Sequence, residues 1–83
     1  MIYKTSGTCS TQIDLEVKDG VIESVVFTRG CHGNLQGIAA LCEGKSAEEI
    51  INAVSGIRCG FKSTSCPDQL AKALTKALEG EEN

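Results

Sequence analysis

Residues 11 to 28 leave this chain little choice of fold. Between Thr11 and Lys18, Ile13, Leu15 and Val17 fall on one side, and Gln12, Asp14, Glu16 and Lys18 on the other. Period two over that length describes a half-buried strand. Asp19-Gly20 then supplies two residues that tolerate positive φ, as a type I′ turn requires. Val21 to Thr28 returns antiparallel and is rich in β-branched side chains. Its apolar residues fall on both faces, Val21, Val25 and Phe27 on one and Ile22 and Val26 on the other. That pattern predicts a central strand covered on both sides. Such a hairpin is not stable alone, so the remainder of the chain must cover it.

The cover reads as helical. Asn34 is a candidate N-cap, and Leu35, Ile38, Leu41 and Cys42 follow at helical spacing up to Gly44. Ser46-Ala47-Glu48-Glu49 has the form of a capping box, with the Ser46 hydroxyl and the Glu49 carboxylate each expected to satisfy a helix-end N–H. Ala47, Ile50, Ile51 and Val54 form the stripe of that second helix. A third helix starts near Pro67, presents Leu70, Ala73, Leu74, Ala77 and Leu78 inward, and closes at Gly80. A further short strand is expected over Ile2 to Thr5. Strands first and helices after, without alternation, predict an α+β fold: a small antiparallel sheet of about three strands with three helices on one face. One domain spans residues 1–80, and 81–83 form an acidic tail. A chain of 83 residues buries only about 60–65% of its unfolded surface, so its stability is marginal without a staple.

Cysteine is the candidate staple. There are five, an odd number, in a chain of formal charge −3 with no basic cluster. The charge leaves nucleic-acid binding without an electrostatic footprint. The start of the chain has no basic segment and no long apolar run, so neither a secretory signal nor a membrane span is expected. A cytoplasmic setting follows, where structural disulfides are not the rule and metal binding or thiol chemistry explains the cysteines better.

Four of the five thiols converge in this reading. Pro67 fits the first position of the third helix, which makes Cys66 the expected N-cap, level with unpaired N–H groups and the positive end of the helix dipole. A thiolate is favoured there, as a metal ligand or redox nucleophile requires. Cys9 opens the first strand of the hairpin and Cys31 follows the second, so both lie at one end of the sheet. Cys59 arrives by a short loop. Gly7, Gly30, Gly33 and Gly60 leave backbone room around them, and Arg29, Arg58 and Lys62 can supply positive charge. Thiolates from Cys9, Cys31, Cys59 and Cys66 would suit tetrahedral zinc, with an iron–sulfur cluster as the alternative. A thiol–disulfide pair formed by Cys59 and Cys66 is a third reading. The bland alternative is that some of these are small buried hydrophobes. Cys42 lies on an apolar helix stripe and reads as core. His32, the only histidine, is an alternative ligand, a hydrogen-bond donor beside Cys31, or simply exposed.

Thr64-Ser65-Cys66-Pro67-Asp68 is the signature of the TSCPD family, which the chain resembles over nearly its whole length. Gly30-Cys31-His32-Gly33-Asn34-Leu35-Gln36-Gly37 and Cys59-Gly60-Phe61-Lys62 also look like that family's small stand-alone members. These are similar to a C-terminal domain of cobalamin-dependent ribonucleoside-diphosphate reductases. The resemblance implies a metal-binding accessory to deoxynucleotide synthesis, with a ribonucleotide reductase or another protein as partner. It does not imply the enzyme itself, because a reductase barrel, radical source and nucleotide sites do not fit in 83 residues. A second resemblance is to U-type iron–sulfur cluster assembly scaffolds, whose three cysteines would match Cys9, Cys31 and Cys66. Thr11 stands where those scaffolds carry an acid, and Cys59 is additional. Both departures favour a closed site over one that hands its cluster on.

Overall fold

The computed structural model of the chain describes residues 1–8, 10–30 and 32–80, His32 by its backbone alone. Expectations for Cys9, Cys31, the His32 side chain and the 81–83 tail fall outside the described residues. The elements run β1 (Ile2–Lys4), β2 (Gln12–Lys18), β3 (Val21–Thr28), α1 (His32–Cys42), α2 (Ala47–Val54) and α3 (Cys66–Leu78). The strands form one antiparallel sheet in the order β1-β2-β3. The fold is α+β, as the sequence predicts. Asp19 and Gly20 both take positive φ, 53° and 79°, which gives the tight turn between β2 and β3.

β3 is not the central strand. β2 is, and β3 lies at the edge. The two-faced apolar pattern has a different cause. Leu15 pairs with Val25 and Glu16 with Ser24, but Val17 pairs with Ile22, which leaves Glu23 as an extra residue in a bulge. One inserted residue reverses the alternation beyond it. Ile22, Val25 and Phe27 therefore all fall on the same side as Val17, Leu15 and Ile13, and Val26 is left outside at 60% exposure.

That inner face is covered by helices. α1 packs on β3, α3 on β2, and α2 on α3. Ile13, Leu15, Ile22, Leu70 and Leu74 have no exposed surface, and burial of each contributes about 1.5–3 kcal/mol. Cys42 is buried in the same cluster, as predicted. Burial pushes its thiol pKa up, and the neighbouring Glu43 carboxylate adds to the effect. In α1 the buried residues are Leu35, Ala39 and Cys42, whereas Leu41, expected on that stripe, is largely exposed. Asn34 is inside the helix rather than its cap, since α1 already includes His32 and Gly33. No helix among the described residues is long and apolar enough to cross a membrane.

Candidate functional site

The site is built around the first turn of α3. Ser65, not Cys66, is the N-cap, with φ −152° and ψ 169° and its Oγ accepting the Asp68 N–H at 3.1 Å. Cys66 is the first helical residue and Pro67 the second. The one-position difference has a physical reason. A serine hydroxyl accepts a backbone N–H well, and proline's missing N–H is harmless anywhere in the first turn, where none has an intrahelical partner.

The residues around Cys66 then lock together. The Asp68 carboxylate accepts from the Gly56 N–H at 2.7 Å and from the Thr64 hydroxyl. Ser65 Oγ also donates to the Ile57 carbonyl at 2.6 Å. Gln69 Nε2 donates to Thr64 Oγ1 at 3.1 Å, and its Oε1 accepts the Ser6 N–H at 3.1 Å. Two separate segments are thereby fastened to the start of α3: the turn after β1, through Ser6, and the beginning of the α2–α3 connection, through Gly56 and Ile57. The Thr64 hydroxyl, then the Gly56 N–H and the Lys72 charge, hold the Asp68 carboxyl below its ordinary pKa, against the opposing effect of burial.

Ser10 completes the group. Its Oγ lies 3.2 Å from Cys66 Sγ and 3.3 Å from Thr8 Oγ1, and the hydroxyls of Thr5 and Thr8 both donate to its carbonyl. Gly7, at φ 74°, passes so close that a Cβ there would meet Thr64 Cγ2 at 3.0 Å. The loop that carries Cys9 in the sequence is therefore held against the Thr64–Cys66 turn on both sides of that residue. At the neighbouring strand end, the Thr11 N–H donates to the Thr28 carbonyl at 2.8 Å.

Of the four candidate ligands, the described residues include two. Cys66 is buried, and Cys59 is an exposed free thiol. Cys59 sits in a loop closed by its own N–H on the Thr64 carbonyl at 3.1 Å, with Phe61 at its tip fully in solvent and Arg58 and Lys62 exposed beside it. Among the described residues no group of three or more histidine, cysteine or acidic side chains stands together in a way that could hold a metal ion. Cys9 and Cys31 are outside that comparison.

Sequence reasoning missed Ser10 and Gln69, saw Thr64 and Ser65 only as letters of a motif, and read Asp68 only as a first-turn carboxylate suited to the helix dipole. One signal was available. Ser65-x-x-Asp68 has the same cap spacing as Ser46-x-x-Glu49. The remaining partners are joined by contacts between distant segments, which no local pattern encodes.

A small α+β domain with an elaborately fastened helix start is the class that the fold and this site define. The family model of the TSCPD domain matches residues 1–78, and the chain belongs to that family. No curated protein and no solved structure gives a significant match.

Proposed function

We propose that this chain is a metal-binding module in which the thiolates of Cys9, Cys31, Cys59 and Cys66 hold zinc. One observation carries the reading. All the buried polar side chains among the described residues, Ser10, Thr64, Ser65, Asp68 and Gln69, gather around Cys66. Buried polar groups lower stability unless each is fully hydrogen-bonded, and a helix can be started far more simply. Thr64, Ser65, Pro67 and Asp68 each have a task in closing the turn. The Cys66 sulfur lies 3.2 Å from Ser10 Oγ, beside the loop that carries Cys9. Thiol donors fit zinc, which would act there as a cross-link between the β1–β2 loop, the end of β3 and the start of α3. A small core gains most from such a link.

By family likeness the module serves ribonucleotide reduction as an accessory to a reductase rather than as the enzyme. Complementation of a reductase stripped of its own C-terminal TSCPD domain tests this. No recovery of turnover on adding the chain would remove the association.

The metal is tested by elemental analysis and an absorption spectrum after anaerobic purification. Stoichiometric zinc with no visible absorption is expected. A brown protein containing iron would replace zinc with an iron–sulfur cluster. A metal-free protein that loses two thiols on mild oxidation would replace the metal reading with a thiol–disulfide pair.

A further inference from the structure

The sheet has two edges, and they are protected differently. β1 is three residues long and carries Lys4, a common defence against pairing with another chain. β3 is longer, and among the described residues only its first part is covered. Ile22 donates its N–H to the Lys45 carbonyl at 2.9 Å and accepts from the Gly44 N–H at 2.8 Å, while Val21 bridges Ser46. From Ser24 to Thr28 the sequence Ser-Val-Val-Phe-Thr has no proline, glycine or charge to deter a new neighbour. The Thr28 carbonyl faces β2, where it accepts the Thr11 N–H. Because the direction of backbone groups alternates along a strand, Val25 and Phe27 turn their N–H and C=O groups outward.

We propose that this edge pairs with β3 of a second copy of the chain, antiparallel about a two-fold axis at Val26. The segment is self-complementary in that register alone. Val26 meets the partner's Val26 and Val25 meets the partner's Phe27, and at both ends of this paired stretch the bulged Glu23 comes near the partner's Arg29, the residue that follows the strand. Shifting the axis by a residue either way separates the charges. The register also agrees with the backbone, since Val25 and the partner's Phe27 are the residues whose outward groups would exchange hydrogen bonds. On the helix side a cleft of about 450 Å³ runs between β3 and α1, lined by Val25, Phe27, Leu35 and Ala39 among others. Val25 is among its lining residues, and the partner's Phe27 arrives beside it. The result is a six-stranded sheet with all helices on one face, joined by an isologous contact.

Sedimentation of the whole chain over a concentration series, with reductant so that exposed Cys59 forms no cross-link, tests the proposal. A monomer–dimer equilibrium is expected. Val26→Lys, which places two like charges on the axis, should abolish it without changing the circular dichroism. Glu23→Arg and Arg29→Glu should each weaken association about tenfold, since each turns two attractive pairs into repulsive ones. The two together should restore it. A wild-type chain that stays monomeric at every concentration overturns the proposal, and so does a double reversal no tighter than the single ones.

Discussion

The chain starts two helices with the same local device and embeds them in opposite surroundings. At α2, Ser46 Oγ accepts the Glu49 N–H at 3.3 Å. At α3, Ser65 Oγ accepts the Asp68 N–H at 3.1 Å. The first cap is exposed, and only the serine half of the expected box forms. The Glu49 carboxylate makes no return bond. The second is buried, and its carboxylate also does not return to the cap. It is used on Gly56 and Thr64 instead, and the cap hydroxyl donates to Ile57. The comparison teaches that helix initiation requires little, as α2 demonstrates. The additional structure at α3 fixes Cys66 relative to the Ser6–Ser10 loop and the α2–α3 connection, so its purpose is position.

The largest break in the comparison comes from Asp68. Asp68→Ala leaves a buried hydroxyl and a backbone N–H without their charged acceptor and should cost about 3 kcal/mol in urea unfolding. Glu49→Ala, at the equivalent position of α2, should change stability by about 0.5 kcal/mol or less. A cost for Asp68→Ala as small as that would mean the buried network is not cooperative. Ser65→Ala is next, at about 2 kcal/mol, because it removes a cap and leaves the Ile57 carbonyl unpaired. Ser46→Ala should cost about 1 kcal/mol, the ordinary effect of an exposed cap. Equal losses at the two serines would erase the distinction.

Cys42 gives the smallest effect and a control away from the site. Cys42→Ala should cost about 1 kcal/mol or less near neutral pH through lost volume, with metal content unchanged. Its pKa is raised in the fold, so the stability it contributes is complete below the unfolded thiol value of about 8.5. That stability is lost as pH rises through the folded value. The gap between wild type and Cys42→Ala should therefore narrow in alkaline solution. Denaturant midpoints measured across that range check the sign, and a widening gap would contradict it.

What the sequence revealed follows from the range of the interactions involved. The β2–β3 turn was legible because Asp19-Gly20 and the alternation of β2 are local signals. The edge position of β3 was not, because one bulged residue at Glu23 makes a one-faced strand look two-faced. Helix α3 was legible from its apolar stripe, but its cap was misplaced by one residue because proline fits more than one position of a first turn. The site itself is long-range. Asp68 and Gly56 are 12 residues apart, Cys66 and Ser10 are 56, and Gln69 and Ser6 are 63. Nothing in the spacing of those residues announces that they meet; the sequence could name Cys66 but not the side chains that hold it.

The central claim is that this positioning serves a metal. Its most direct test is the thermal midpoint with and without a strong chelator, read together with metal content, for wild type and for Cys66→Ser. Metal bound to the folded chain alone stabilises it by about 4 kcal/mol when free metal exceeds its dissociation constant a thousandfold. The account predicts that chelation strips the wild type of zinc and clearly lowers its midpoint, whereas Cys66→Ser is metal-free from the start and is not shifted by chelator. A wild type that holds no metal and melts at the same temperature with chelator, alongside a Cys66→Ser variant no weaker than Cys42→Ala, would contradict it.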